Sequence, residues 1–493
     1  MKQPSILLIT TDEQHRDTVL RTPKPMETPA IDRLLACSDV YTGAYSVSPV
    51  CLPARCSWMN GRYPHCSANI SNQMGASLSL NAPNLFTCLK KAGYGTSLHG
   101  KCHFIPVPYP ATRPDRTLEY EHFRFYYSAL GMDRLDLQDD KNNSLWYYDD
   151  FAKELEREGK LTLYRETYHG KYEKCTLPHF PLAPEDHPDC WTGRKALEHL
   201  DRLDGQSPQF MWVSFSGPHY PMDAPDEYFD RVHLEQDYPR AVREGEWEDG
   251  SKLHAHSYYG PGGTEGSGNA PGGAQKAFDE EYWKDWRTRY YANIAQIDEQ
   301  IGRIVDKAKA VFGEENLVIL FTSDHGDMMG NHNLWGKNHS LHEDVLRVPI
   351  VLHHPGQQER QDIPQTVSSL EVFPTILSLA GCPLPESCDG IPLEEMALRG
   401  GREYIISECD YRVAVIQDGL KLCWNVYERT GQMYHELYDL KNDPMEFVNL
   451  YEDPSYRQRR DALIQILNRH EEQEGLLSTV FYDGKSRPYW FAG

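Results

Sequence analysis

Apolar and polar stretches alternate along this chain in a way that predicts strands and helices in turn. Residues 5–10 (SILLIT), 210–215 (FMWVSF) and 317–322 (LVILFT) are short apolar runs, which is typical of strands buried on both faces. Before the last of them, apolar residues recur at helical spacing, so one long amphipathic helix is predicted over 285–310. Helix followed by apolar strand, repeated, favours an α/β fold with a large, mixed and mostly parallel sheet sandwiched by helices.

Local signals mark the ends of two shorter helices. Thr28 followed by Pro29 is a typical helix start, with the threonine as N-cap and the proline in the first turn. A second helix is predicted over 53–59. Asn60-Gly61 ends it, because glycine readily takes the left-handed conformation that closes a helix.

Two stretches interrupt the alternation and predict the domain organisation. Residues 104–190 are aromatic, charged and interrupted by proline, which suggests an insertion over one rim of the sheet. Residues 250–275 are glycine-rich, which is typical of a loop. Later the pattern changes to short strands and a helix. The sequence therefore predicts a main catalytic domain over 1–395 and a small C-terminal domain, with an antiparallel sheet and a helix, over 396–493.

The charge balance argues against some classes of partner. Lysine and arginine number 50, and aspartate and glutamate number 73, which gives a net charge of −23. So acidic a chain is not expected to bind nucleic acid or an anionic membrane. No apolar run reaches the roughly 18 residues that a membrane-spanning helix needs.

The cysteines and the two ends of the chain add three expectations. The twelve cysteines are scattered without a C-x-x-C pair, so neither a disulfide framework nor a zinc knuckle is indicated. The first apolar run is too short for a signal peptide, which predicts a cytoplasmic location. The aromatic tail over 481–491 either folds back or contacts a partner subunit, so a homo-oligomer is one prediction.

The segment CLPAR, from Cys51 to Arg55, is the strongest local motif. Cys51 precedes a proline-started helix, so its side chain is expected near the positive end of the helix dipole. Arg55 follows about one helical turn along the same face, so a nucleophile and a cation would share one anion-binding spot. The alternative is a buried structural cysteine beside a surface arginine, since free cysteines are often buried.

Acidic residues and a histidine follow two of the predicted strands. Asp12 and Glu13 come at the end of the first strand, and the motif SDHGD, with Asp324 and His325, ends a later one. Ligands of open α/β sheets bind at the carboxyl ends of strands. Carboxylate oxygens with one histidine favour Ca²⁺, Mg²⁺ or Mn²⁺ over a thiolate zinc site. The alternative is that the aspartates only cap the helices that follow.

Cations and imidazoles follow other strands and turns. Lys101 and His103 come after a short strand, His219 lies in a PHYP turn, and Lys337 lies beyond the SDHGD motif. Together with a metal they would form a site for a tetrahedral oxyanion, because cations neutralise charge on the transferring group and histidines transfer protons. The nearby competitors for the histidine roles are His99, His332, His339 and His342.

These motifs together resemble the type I sulfatases of the alkaline-phosphatase superfamily, and the resemblance spans nearly the whole chain. The matching segments are CLPAR followed by Gly61-Arg62, ITTDEQ, TPAIDRL, GKCH (where the family usually has GKWH), PHYP, SDHGDMMGNH and ELYDLKNDPMEFVNL. The resemblance implies an alkaline-phosphatase-like fold. It also implies a sulfatase that hydrolyses an organic sulfate ester, either a small molecule or a sulfated sugar.

The resemblance implies a modified nucleophile and a metal. A formylglycine-generating (sulfatase-maturating) enzyme would oxidise Cys51 to formylglycine, whose hydrate would be both the nucleophile and a metal ligand. Asp12, Asp324 and His325 would hold one divalent cation, with Ca²⁺ favoured over Mn²⁺ or Mg²⁺.

The resemblance also implies roles towards the substrate. Arg55 and Lys101 would hold the hydrate and the sulfate, and Lys337 would contact the sulfate and the leaving oxygen. His219 would favour departure of the alcohol, and His103 would help the hydrate lose a proton. Covalent catalysis of this kind divides one difficult displacement into two easier steps.

Two departures from the usual pattern keep an alternative open. Asp12-Glu13 stands where many sulfatases have two aspartates, and His325 stands where they often have asparagine, so Glu13 is a weaker candidate ligand. Both variants resemble a branch that includes phosphonate monoester and phosphodiester hydrolases. Asn72 falls where that branch has a substrate-contacting asparagine. Against that branch, Lys101 and His103 are present, as sulfatases require.

Further hypotheses concern catalysis and the substrate. A non-catalytic binder of sulfated ligands would keep the pocket but leave the cysteine unmodified. A metal-dependent phosphomutase would share the metal chemistry but would usually have Ser or Thr as nucleophile. Aromatic residues of the predicted insertion either stack on a sugar or pack in the core, and packing is favoured; they are Tyr126, Tyr127, Trp146, Tyr147 and Tyr148.

Overall fold

The structure is a computed structural model, and most of the chain is described in it. The described residues are 3–67, 70–72, 77–105, 118–119, 121–141, 144, 147–168, 179–248, 250–253, 279–337, 340–409, 412–427 and 432–474. Most of the predicted glycine-rich loop, the aromatic tail and Trp146 lie outside these residues.

The strands form one large sheet, one C-terminal sheet and one short pair. In chain order they are β1 (Ser5–Asp12), β2 (Asp39–Tyr45), β3 (Gly95–Gly100), β4 (Leu118–Glu119), β5 (Arg134–Leu137), β6 (Tyr147–Tyr148), β7 (Gln209–Pro218), β8 (Leu317–Ser323), β9 (Ile350–His353), β10 (Gln361–Ser368), β11 (Ile405–Cys409), β12 (Arg412–Gln417), β13 (Leu420–Tyr427), β14 (Gln432–Met433) and β15 (Glu436–Asp439).

Helices connect these strands. The described α-helices are α1 (Asp17–Leu20), α2 (Pro29–Leu35), α3 (Cys51–Asn60), α4 (Leu85–Lys91), α5 (Glu121–Ala129), α6 (Asp150–Arg157), α7 (Leu161–Tyr168), α8 (Pro188–Leu200), α9 (Glu280–Phe312), α10 (Glu343–Leu346), α11 (Val372–Leu379), α12 (Leu393–Leu398) and α13 (Arg457–Glu474). None of these helices has the length and the apolar character that crossing a membrane requires.

The large sheet confirms the predicted mixed, mostly parallel architecture. Its eight strands run in the order β10-β2-β9-β8-β1-β7-β3-β5, and β9 is antiparallel to both of its neighbours. The other neighbouring pairs are parallel. The carboxyl ends of β1, β3, β7 and β8 therefore lie along one edge of the sheet, where a site is expected.

Helices cover both faces of this sheet, as the apolar runs predict. Along β1, Ile6 and Leu8 point into a core shared with α3, α4 and α11, while Leu7 and Ile9 point into a core shared with α2, α8 and α9. Successive residues of a strand face opposite sides, so β1 must be apolar throughout. Burying each such side chain stabilises the fold by roughly 1.5–3 kcal/mol.

Two helix starts differ from the predictions. The helix predicted over 53–59 begins at Cys51, because the first-turn amides have no partner within the helix and Pro53 is tolerated there. At α2, Thr28 makes no side-chain cap. The carboxylate of Asp298 on α9 instead accepts hydrogen bonds from the amides of Ala30 (3.0 Å) and Ile31 (2.7 Å).

The predicted insertion over 104–190 does more than cover the rim. Its strand β5 pairs in parallel with β3 and forms the edge of the large sheet. Tyr127 and Tyr147 are fully buried in the core, which confirms packing as their role. The insertion is therefore partly built into the sheet.

The C-terminal strands form the predicted antiparallel sheet, and α13 packs on it. Val47 and Ala54 share an apolar cluster with Ile406, Val413 and Leu467 of this unit. The C-terminal unit therefore packs against α3 and against the segment that leads into it. The boundary between residues 395 and 396 stays a prediction.

Candidate active site

Parallel pairing of β1 with β8 brings the two acidic motifs together. Thr11 lies opposite Ser323, so Asp12 and Asp324 leave the sheet side by side, and both are fully buried. Asp12 caps no helix; its carboxylate instead contacts Lys101 and Arg55. The helix-capping alternative is therefore wrong for Asp12.

Four donor groups converge at this point. Asp12, Cys51, Asp324 and His325 each place one potential ligand atom within 4.8 Å of those of the others. Cys51 Sγ lies 3.2 Å from His325 Nε2 and 3.6 Å from Asp12 Oδ1. His325 Nε2 lies 3.8 Å from an oxygen of each aspartate. The predicted meeting of residue 51 with both strand ends is thus present in the structure.

The imidazole of His325 is oriented as a metal ligand needs. Its Nδ1 lies 2.9 Å from the carbonyl oxygen of Gly326 and donates to it, so Nε2 faces the carboxylates and can bind a metal once it has lost its proton. Burial lowers the pKa of His325, but the charges of Asp324 and Cys51 raise it to about 9. The donor set therefore creates a potential that attracts a cation, and these residues fit a divalent metal.

Cys51 has the environment of a functional cysteine. It is the first residue of α3 and is fully buried. Burial would raise the pKa of its thiol, but Lys101, Lys337 and His325 lower it well below the ordinary value. Cys56 on the same helix lacks such cations, and burial raises the pKa of that thiol. The interpretation as a buried structural cysteine therefore fits Cys56 and does not fit Cys51.

Arg55 lies near both aspartates and Cys51, whose charges raise the pKa of its guanidinium against its burial. Its Nε donates to Asp324 (2.8 Å), and its two terminal nitrogens donate to Asp12 (3.3 Å) and to Ser214 (2.8 Å). The arginine is fully buried, so it is not the surface residue of the alternative interpretation. Its hydrogen bonds to Asp12 and Asp324 hold the orientation of both carboxylates.

Lys101 and His103 flank the site from the loop after β3. The Lys101 ammonium pairs with Asp12 and with Asp140, the latter at 2.5 Å. The backbone amide of His103 donates to Asp139 (2.7 Å), and its side chain lies near enough to Cys51 to help lower the pKa of that thiol. His103 takes a positive φ of 50°, a conformation that costs energy in a non-glycine residue. The bond to Asp139 holds that conformation.

His219, Lys337 and Glu13 form a tight group on the opposite side. Lys337 Nζ donates to His219 Nε2 (2.9 Å), and Glu13 Oε2 lies 3.2 Å from Lys337 and 3.3 Å from His219. His219 Nδ1 donates to the carbonyl of Tyr220 (2.7 Å). Burial would lower the pKa of Lys337, but Cys51 and Glu13 raise it, so the ammonium stays charged. Glu13 can also join Asp12 and His219 as a donor group.

Asn72 lies directly over the nucleophile position. Its Oδ1 accepts the amide of Leu52 (2.9 Å), and its Nδ2 lies 3.8 Å from Cys51 Sγ. The competing histidines lie elsewhere: His99 pairs with Asp136, His332 with Glu246, and His342 with Ser340. His339 lies outside the described residues.

Two residues of the site were missed by the sequence reasoning. Ser214 lies on β7 and accepts from Arg55, and Asp140 contacts Lys101. Asp140 follows β5, so the same strand-end rule could have identified it. The predicted insertion hid this signal, because β5 was not recognised as part of the sheet.

Comparisons with known proteins identify the class of enzyme. The family profile described as Sulfatase matches residues 4–382, and the profile described as N-sulphoglucosamine sulphohydrolase, C-terminal, matches residues 330–473. An arylsulfatase of Clostridium perfringens is 25% identical over 485 residues, which covers 95% of this chain and 95% of that protein. A choline-sulfatase of Rhizobium meliloti is 27% identical over 486 residues, which covers 92% of this chain and 83% of that protein.

Comparison with a solved structure supports the fold. The phosphonate monoester hydrolase from Silicibacter pomeroyi superposes with a TM-score of 0.76 at 20% identity, covering 96% of each chain. This likeness shows that the fold is alkaline-phosphatase-like. The chain belongs to the sulfatase family, and it is a sulfuric ester hydrolase. Membership in this family implies a divalent metal and a formylglycine.

Proposed function

We propose that this enzyme hydrolyses an organic sulfate ester through a formylglycine formed from Cys51, with a divalent metal held by Asp12, Asp324 and His325. The observation that carries the proposal is the contact of Cys51 Sγ with His325 and Asp12 in one buried cluster. A formylglycine hydrate at this position supplies an oxygen nucleophile, and the metal supplies a Lewis acid.

The cations of the site neutralise the sulfate. Lys101 and Lys337 both lie near residue 51, since both lower the pKa of the Cys51 thiol against its burial. Fixed charges in a buried site stabilise the transferring group without reorganisation. Arg55 bonds both aspartates and keeps their oxygens directed at the metal position. Asn72 borders residue 51 and contacts the substrate there.

Protons move at two histidines on opposite sides of residue 51. His219 Nε2 accepts from Lys337, so this pair can deliver a proton to the leaving alcohol. His103 lies near the side chain at 51 and removes a proton from it in the second step. Because two different groups serve the two steps, neither has to act first as an acid and then as a base.

The choice of metal follows from the donors. Two carboxylates are hard oxygen donors and outnumber the one borderline imidazole, which favours Ca²⁺, with Mn²⁺ or Mg²⁺ as alternatives. Glu13 contacts Lys337 and His219 through Oε2, so we assign it first as a partner of those groups and only second as a metal ligand. A sulfatase-maturating enzyme as partner, a cytoplasmic location and a homo-oligomer stay predictions.

Mass spectrometry of the peptide that contains Cys51 tests the modification. Conversion of the thiol to an aldehyde lowers the mass by about 18 Da. We expect this species in protein made together with a maturating enzyme. A thiol that persists in protein from its own cell would instead support a non-catalytic binder of sulfated ligands.

A comparison of substrates tests the reaction class. We expect the modified enzyme to hydrolyse an aryl sulfate faster than an aryl phosphonate monoester at equal concentration. Dominant phosphonate turnover would replace the sulfatase assignment with the phosphonate hydrolase alternative, which Asp12-Glu13 and His325 keep open. The Cys51→Ala variant serves as the blank for both substrates.

A further inference from the structure

Asp140 is a buried carboxylate that lies between two groups of different function. It is 5% exposed and lies just after β5. One oxygen accepts from Lys101 Nζ at 2.5 Å, and the other lies 3.9 Å from His219 Nδ1. An acidic side chain is unexpected beside a site for an anionic group, since it repels the substrate. It therefore requires a function that outweighs this cost.

The residues on either side of Asp140 hold it rigidly in place. Asp139 accepts hydrogen bonds from the amides of Cys102 (3.0 Å) and His103 (2.7 Å), which ties the segment to the Lys101 loop. Lys141 donates to the carbonyl of Pro221 (3.2 Å) and to Asp223 (3.1 Å), which ties it to the loop of His219. The carboxylate of Asp140 is thus fixed relative to both catalytic loops.

One hydrogen bond does not fix the orientation of the Lys101 ammonium, so a second partner is needed. The ammonium has three N–H donors, of which one bonds Asp12 and one bonds Asp140. The tetrahedral geometry of the ammonium then fixes the direction of the third. With Asp12 as its one carboxylate partner, the ammonium could swing about that single contact. Asp140 supplies a second contact, which keeps the ammonium in one orientation beside residue 51.

We propose that Asp140 is a positioning residue, which holds Lys101 in the orientation that contacts the transferring sulfuryl group. This rests on the proposed function of Lys101. Burial would raise the pKa of Asp140, but Lys101 and His219 lower it, which agrees with a permanently charged carboxylate. The inference assigns a role to the insertion, since Asp140 lies on the segment that follows its strand β5.

A double-mutant cycle tests the proposal. Asp140→Asn keeps the shape but removes the charge, and kcat for an aryl sulfate should fall by about 10- to 100-fold, with KM changed less. If Asp140 acts through Lys101, the same substitution in a Lys101→Met background should cost less than about threefold. Equal losses in both backgrounds would overturn the proposal. Asp140→Glu should recover part of the activity.

The matched control and a structural readout complete the test. Asp136→Asn alters another carboxylate of the same segment, which pairs with His99 and Arg134 and should leave turnover nearly unchanged. A crystal structure of Asp140→Asn should show Lys101 Nζ displaced from the position in which it bonds residue 140, and an unmoved lysine would overturn the proposal. If the parent enzyme cleaves neither sulfate nor phosphonate, the proposed function fails, and this structure alone decides the positioning role.

Discussion

Two of the buried clusters of metal-type donors in the described chain differ in how their donors are spaced. The catalytic cluster consists of Asp12, Cys51, Asp324 and His325, and the second cluster, here the joint cluster, consists of His65, Glu408 and His470. In the catalytic cluster, His325 Nε2 stays 3.8 Å from the nearest oxygen of each aspartate. In the joint cluster, His65 Nδ1 and Glu408 Oε1 are hydrogen-bonded at 2.6 Å.

This difference shows that donor type alone does not define a metal site. Two ligands of one Ca²⁺, each at about 2.4 Å and at a right angle, lie roughly 3.4 Å apart. The two aspartates of the catalytic cluster leave that space beside His325, whereas His65 and Glu408 are in direct hydrogen-bonding contact. The joint cluster also ties the turn after α3 to β11 and α13, because His470 lies on α13. We therefore interpret it as a structural joint.

Loss of the nucleophile should have the largest effect. Cys51→Ala removes the proposed nucleophile, so turnover of an aryl sulfate should fall at least about 1000-fold. The protein should stay folded, since the alanine occupies the same first turn of α3. Steady-state kinetics with circular dichroism checks both points, and an active Cys51→Ala variant would contradict the assignment of the catalytic cluster.

Removal of the metal should come next. Dialysis against a chelator should reduce turnover at least about 100-fold, and Ca²⁺ should restore it. Elemental analysis should find about one equivalent of metal per chain, with almost none in Asp324→Asn and an unchanged amount in Glu408→Gln. A second equivalent that disappears in Glu408→Gln would show that the joint cluster binds metal and would break the comparison.

The joint cluster should affect stability and not catalysis. Glu408→Gln leaves two buried histidines without their carboxylate, so the free energy of unfolding should fall by about 3 kcal/mol. The kcat per folded molecule should stay within about threefold, since Glu408 contacts no catalytic residue. Urea unfolding, with activity measured on the same samples, separates the two effects.

The same variant should change the pH dependence of stability. Burial would raise the pKa of Glu408, but His65 and His470 lower it below its ordinary value. The stabilisation from its charge is therefore fully present above the unfolded pKa of about 4.3 and is lost as the pH falls below it towards the folded pKa. Unfolding curves from pH 7 to 3 should show this loss in the parent. A parallel loss in Glu408→Gln would argue against the assignment.

A second cysteine provides the smallest expected effect. Cys66 Sγ lies 3.3 Å from His65 Nε2, on the side of the ring away from Glu408. Cys66→Ala should change the free energy of unfolding by less than about 1 kcal/mol and leave turnover unchanged. Thermal unfolding and kinetics of Cys66→Ala and Cys51→Ala, measured side by side, check this. Similar losses of turnover in both variants would contradict the view that the location of a cysteine, and not its residue type, decides its role.

Much of the fold and of the site could be predicted from the sequence. The predictions succeeded where a feature depends on one helix or strand, or on two neighbouring strands. Gly61 ends α3 with a φ of 70°, as its residue type predicts. Asp12 and Asp324 meet because both follow parallel strands that turn out to be neighbours. The prediction failed at Thr28, because the amides that it was expected to cap are bonded by Asp298 on a distant helix.

The sequence by itself determined the strand-and-helix alternation, the position of Cys51 at a helix start and the residue types of the metal donors. These follow from local periodicity and from the chemistry of single side chains. Only the tertiary structure decided which histidines join the site. It also decided that Arg55 bonds both aspartates and that Asp140 bonds Lys101. Those contacts join residues far apart in the chain, and their distances depend on how the loops pack at one edge of the sheet.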